Sequence, residues 1–183
     1  MHAQRRPATG LFALAIACLI ALPAAAQERG NDQPRPSPNA GISQTIGTTE
    51  IDLQYGRPAV RGRTIFGGLQ PWGQPWRAGA NEPTTIVISK DVRIEGEPLE
   101  AGMYNIFMRP MQDGDWDVIF TTPVRWGTMY DQATPVLQVS VTPKEAPLQE
   151  WLTYRFEDLT DTSATLVMHW ERTMVPITIS TAE

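Results

Sequence analysis

From residue 151 to 157 the chain alternates strictly, with Leu152, Tyr154 and Phe156 set against Thr153, Arg155 and Glu157, and short runs of this pattern recur along most of its length. Successive side chains of an extended strand point to opposite faces, so each run reads as a strand with one face buried and the other wet. Nowhere do apolar residues recur at helical spacing for three turns. With no crossover helices to support parallel pairing, the pattern predicts an all-β protein, an antiparallel β-sandwich or flattened barrel of about nine or ten short strands.

The strands can be placed one by one. Residues 42–46 and 50–55 flank Gly47-Thr48-Thr49 and read as a half-buried hairpin. Strand patterns follow at 84–89 and 92–94, then a turn at Glu95-Gly96-Glu97-Pro98. Residues 103–108 and 116–121 pair across the strong turn Gln112-Asp113-Gly114-Asp115. Residues 136–142 and 151–157 continue the series, 164–172 put Leu166, Met168 and Trp170 inward, and Val175, Ile177 and Ile179 mark a last strand.

The first 26 residues have another character. Arg5 and Arg6, an apolar run at 11–22 and Ala24-Ala25-Ala26 read as a secretory signal peptide cleaved before Gln27. The run is shorter than the roughly 20 residues that span a bilayer. Pro7 argues against a twin-arginine route, and the lead-in Ala15-Ile16-Ala17 is poor for lipid attachment at Cys18. The expectation is export by the general secretory route to the periplasm or beyond, with no membrane span afterwards. Residues 27–39 carry Pro34, Pro36 and Pro38 among polar residues and read as a flexible tether, leaving 40–183 as one β-rich domain.

Cleavage would remove the only cysteine, so neither a disulfide nor a thiolate metal site is available to the mature chain. It would also remove two cations from a chain already at −5. Such an acidic protein is a poor general partner for nucleic acid or an anionic membrane surface.

Against this background residues 56–85 stand out. They hold six glycines, four prolines, Trp72 and Trp76, and between Asp52 and Glu82 the only charged residues are Arg57, Arg61, Arg63 and Arg77. A loop of this length without secondary structure is more often functional than not.

Several strings carry a resemblance: P-S-P-N-A at 36–40, Y-G-R-P at 55–58, G-R-T-I-F-G-G-L at 62–69, W-R-A-G-A-N-E at 76–82 and A-G-M-Y at 101–104. The W-D-V-I-F strand, E-W-L-T-Y-R-F-E-D-L and S-A-T-L-V-M-H-W-E add to it. Over residues 36–179 the chain resembles the domain of unknown function 2911 family of exported bacterial proteins. W-R-x-G-A-N-E is the most specific part, and Trp72 stands where a tyrosine is commoner. The resemblance implies an exported β-rich domain and no chemistry.

The loop supports two readings of its own. In one, Arg57, Arg63 and Arg77 present planar forks to a carboxylate, phosphate or sulfate, while Trp72 and Trp76 offer flat faces to a sugar or aromatic ring. In the other, the arginines pair with carboxylates of the acidic strands and stack on the tryptophans, pinning a loop whose buried backbone must be satisfied. Asn81 and Glu82 divide similarly, as a hydrogen-bonding pair with Glu82 as acid, base or ligand acceptor, or as the closure of the loop onto Arg77.

A second irregular stretch at 122–135 carries Trp126, Tyr130 and Asp131. If the two stretches meet, they form one aromatic-walled cleft holding Arg77, Glu82 and Asp131; otherwise Trp126 and Tyr130 cap the core. His169 reads as a packing or surface residue more readily than a base, and the turn with Asp158 and Asp161 as solvated more readily than as a calcium loop. No nucleophile elbow, phosphate loop, dinucleotide fingerprint or H-E-x-x-H is present. No cofactor or metal is called for, and the reading leans away from an enzyme. Three functions remain open: a module binding a small anionic or carbohydrate ligand, a hydrolase of envelope glycans using Glu82 and Asp131, and an envelope structural or interaction protein.

Overall fold

Gly47, at φ 58°, turns the chain between β1 (Asn39–Ile46) and β2 (Thr49–Gly56), which pair in unbroken register from Asn39 opposite Gly56 to Ile46 opposite Thr49. The computed structural model describes residues 33–122, 124, 130 and 133–182. The signal-peptide reading, Trp126 and Asp131 fall outside them. Eight more strands follow: β3 (Thr85–Ile88), β4 (Val92–Ile94), β5 (Glu97–Leu99), β6 (Gly102–Arg109), β7 (Trp116–Thr122), β8 (Thr134–Val141), β9 (Lys144–Glu157) and β10 (Ser163–Thr181). They form two antiparallel sheets, β1-β2-β3-β6-β7-β8 and β5-β4-β10-β9, which do not close into a barrel. This is the expected sandwich, with no α-helix among the described residues.

β9 starts at Lys144, seven residues ahead of the expected strand, and two other strands depart from the expected boundaries for readable reasons. Glu95 and Gly96 do turn, at φ 49° and 87°, but Glu97–Leu99 then pairs back on β4 as the sheet's edge. Pro98 is tolerated there because an edge strand has donors to spare. The last two expected strands are one, β10. Ala164, Leu166, Met168 and Trp170 are buried in one phase and Val175, Ile177 and Ile179 in the other. The phase flips at Glu171, whose φ is 56° and where the register with β9 shifts twice. An irregularity of this kind moves a strand's apolar set from one side chain parity to the other without ending the strand. Pro176 sits between the end of β10's pairing with β9 at Met174 and the start of its pairing with β4 at Ile179, so its missing N–H interrupts no ladder.

The core lies between the sheets, filled by Ile51, Leu53 and Tyr55 of β2, Ile106 and Met108 of β6, Phe120 of β7, Leu152 and Tyr154 of β9 and the inward residues of β10. Residues 56–85 take part in it, contributing Ile65, Phe66, Trp76 and Ala78. The loop is also stitched to both sheets. Val60 N–H donates to Glu150 O at 2.8 Å and Leu152 N–H to Pro58 O at 3.0 Å, so the loop covers the outer edge of β9 beside its register shift. Further along, Trp76 and Met108 exchange backbone bonds at 2.8 and 2.9 Å, and Gly73 N–H reaches Pro110 O at 2.7 Å, extending the larger sheet along β6 past β3. The loop therefore satisfies its backbone by pairing with strands of both sheets, and hides an edge that would otherwise invite other chains.

Candidate functional site

The four loop arginines all bond to the chain, mostly to main-chain carbonyls, while Arg61 and Arg63 stay exposed. Arg57 donates through Nε to Leu152 O at 2.9 Å and through Nη2 to Thr153 Oγ1 at 2.7 Å. Arg63 folds back on its own turn, to Val60 O at 3.0 Å and Ala59 O at 2.6 Å. Arg61 donates to Pro36 O at 3.0 Å and Arg77 to Asn81 O at 2.6 Å. A carbonyl left without a partner when chain crosses chain is costly, and a guanidinium with five donors can serve several at once. These bonds tie the loop arginines to the chain through main-chain carbonyls.

The string at residues 76–82 forms a knot at the centre of this seam. Trp76, 7% exposed, stacks on Trp170 with centroids 5.5 Å apart and planes at 29°, and meets Phe66 edge-on. Ala78, at φ 47°, turns its carbonyl to the Tyr154 hydroxyl at 2.8 Å. Burial pushes that hydroxyl well above the usual 10.0, and Tyr55 beside it adds to the rise. The Tyr55 hydroxyl in turn accepts Tyr154 N–H at 3.1 Å. Ala80 N–H reaches Gly56 O at 3.2 Å, and a Cβ on Gly56 would run into the Ala80 carbonyl, so only glycine permits the approach.

Asn81, at φ 63°, donates its amide to Ser37 O at 2.7 Å. Glu82 is 1% exposed, and its Oε1 accepts Arg35 Nη1 at 2.6 Å. A carboxylate so deep needs a cation, and the cation comes from ahead of β1. Together with Arg57 N–H on Pro38 O at 2.8 Å, these contacts fasten residues 35–38 against the loop as a strap. Glu82 thus has Arg35 as an ion-pair partner, a residue the sequence did not connect to it.

Tyr130 lies against β6. Its ring meets Phe107 edge-on at 5.5 Å and lies 6.0 Å from the Arg109 guanidinium, which pairs with Asp117 at 2.5 Å. His169 is buried on β10, its ring held between Arg155 Nη1 at 3.3 Å and Pro147 O at 3.0 Å, a packing arrangement. Among the described residues no three His, Cys, Asp or Glu side chains gather around a common point, and no helix is long and apolar enough to cross a membrane.

Trp72 is placed differently from Trp76. It remains 37% exposed. Its pyrrole edge lies on Gly67, where a Cβ would collide with the indole and where φ is 81°, so the glycine is required twice over. Phe66 at 6.5 Å and Trp116 at 6.4 Å brace it from the core side. Trp72 then forms one wall of a surface groove of about 550 Å³, with Met111, Gln112 and Asp113 from the β6–β7 turn and Lys144, Glu145 and Arg172 from β9 and β10. Among the described residues Lys144 and Arg172 enter no ion pair and no side-chain hydrogen bond.

Of the candidate ligand-site residues that are described, Arg57, Arg63, Trp76, Arg77, Asn81 and Glu82 lie along the seam, Tyr130 packs against β6, and Trp72 lines an open groove. Sequence reasoning missed Arg35, Met111, Lys144 and Arg172. Arg172 carried one usable signal: it sits between two β10 runs of opposite phase, where a strand must kink.

A family model described as "Protein of unknown function (DUF2911)" matches residues 37–179. No curated protein and no solved structure matches the chain.

Proposed function

The chain belongs to the DUF2911 family of proteins of unknown function, and since membership brings no chemistry, we propose from the geometry that it is a non-catalytic module binding carbohydrate in the groove at Trp72. The observation that carries this is an exposed indole fixed on Gly67 beside polar groups not spent on the fold. A pyranose presents an apolar face of C–H bonds and a rim of hydroxyls. The indole face covers the first, and Gln112, Asp113, Lys144, Glu145 and Arg172 supply donors and acceptors to the second.

Charge favours a carbohydrate over an anion as the ligand. An anion site needs a surplus of free cations. Here Lys144 and Arg172 are balanced by Asp113 and Glu145, and the loop arginines are bonded to carbonyls. A neutral polyhydroxyl ligand suits such a balanced rim better. Glu82, buried against Arg35, is poorly placed to act on a glycan. Export, expected from residues 1–26, is part of the proposal and would bring the groove to glycans of the cell envelope or its surroundings.

The test is a titration of the purified domain with neutral, acidic and amino sugars, inorganic phosphate and small organic acids, followed by tryptophan fluorescence and calorimetry. Neutral saccharides should bind, and Trp72→Ala should weaken them by at least about tenfold, equivalent to roughly 1.4 kcal/mol. Absence of any saccharide response, equal affinity in the variant, or tighter binding of phosphate or organic acids would overturn the reading.

A further inference from the structure

The groove at Trp72 does not end at Lys144. A second depression of about 370 Å³ begins there, sharing Thr142 and Lys144 with the first and continuing along the gap between β8 and β10. On β10 the near depression touches Arg172 and Thr173, and the far one touches Thr165 and Val167 before the kink at Glu171 and Met174, Pro176 and Thr178 after it. Six residues of extended strand span about 20 Å. That is several times the width of one pyranose ring.

The far half has the same character as the near one. Met174 and Pro176 supply an apolar floor, and Ser140, Thr165 and Asp158 supply hydroxyl and carboxylate groups at its sides. Asp158, at φ 50°, is turned so that its Oδ2 accepts the Thr165 hydroxyl at 3.4 Å, a long bond that leaves the carboxylate lone pairs to spare. The two depressions adjoin at Thr142 and Lys144, beside the part of β10 that follows the phase flip at Glu171.

We infer, resting on the carbohydrate reading above, that the occupant is a chain: an oligosaccharide whose one end stacks on Trp72 and whose further units run past Lys144 towards Thr165 and Asp158. A monosaccharide would use only the near half. Binding should therefore strengthen with chain length until the trough is filled and then level off.

Cello-oligosaccharides and chitooligosaccharides from monosaccharide to hexasaccharide provide the ladder, with affinity read by calorimetry. From disaccharide to the longer members the expected gain is at least about tenfold. The double variant Asp158→Asn, Thr165→Ala should bind the disaccharide as the wild type does and lose most of that gain. Asparagine keeps the positive φ at 158, and both positions are at the surface, so folding is not at issue. Affinity flat with length, with the short sugars still bound through Trp72, would overturn this inference alone. So would a length gain that survives in the double variant. If no member of either series binds, the carbohydrate reading itself falls.

Discussion

Trp76 and Trp72 belong to the same loop and to different worlds. Trp76 is folded into the seam between the sheets, stacked on Trp170 and paired through its backbone with Met108. Trp72 rests on Gly67 with much of its surface in water. The arginines divide likewise: Arg57, Arg61, Arg63 and Arg77 bond to carbonyls of the seam, while Arg172 at the groove has no such bond among the described residues. Residue type does not separate seam from groove here; what each side chain has already been given to hold does.

The sharpest way to break that contrast is to truncate both indoles. Trp76→Ala removes a buried ring from a stack and should cost about 3–5 kcal/mol, read from urea unfolding. Trp72→Ala should cost only about 1 kcal/mol, because much of the ring is already wet, and should act on saccharide binding instead. Equal stability losses would erase the distinction between seam and groove.

The strap gives the next largest effect. Arg35→Ala strips the cation from a carboxylate that is 1% exposed. Removing one partner of a buried pair costs about 3 kcal/mol or more. The lower end is expected, since Arg35 itself is 30% exposed and Glu82 keeps other contacts. Adding Glu82→Gln to Arg35→Ala should recover part of the loss, because the stranded charge is then gone. A single variant as stable as the wild type would show that residues 35–38 are not part of the seam.

These contrasts also mark what the sequence made legible. Alternation was sufficient for most strands, because half-buried strands must alternate. It misled at β5, where turn chemistry at Glu95 and Gly96 masked a short edge strand, and at β10, where a phase flip at Glu171 reads like a break. The composition of residues 56–85 flagged a special region. It could not show that guanidinium groups would be bonded to carbonyls, since acceptors from the main chain leave no mark in sequence. Arg35 lay among prolines that read as a tether, and its partner Glu82 lies far along the chain. The groove was less legible still, because Trp72, Gln112, Lys144 and Arg172 are brought together only by the loop's return to β6 and the kink in β10.

The smallest effect expected is also the most selective for the seam. The Tyr154 hydroxyl, buried and bonded to Ala78 O, is held well above its usual 10.0 by burial first and by Tyr55 second. A folded-state value raised above the unfolded one means that the unfolded chain gives up this proton more easily. The stabilisation is complete below about pH 10 and is lost as pH climbs through the raised value. Tyr154→Phe should therefore be less stable by about 1 kcal/mol at neutral pH, where it lacks the bond to Ala78 O. It should also decline less steeply than the wild type from about pH 10 upward. Some alkaline slope will remain, since burial, with Glu100 and Asp91 nearby, also raises the Tyr104 hydroxyl. Urea midpoints across that range separate the two proteins, and parallel pH profiles would show that Tyr154 is not the seam's alkaline weak point. Saccharide affinity measured at neutral pH should be the same in both, because Tyr154 acts through the seam and touches nothing in the groove.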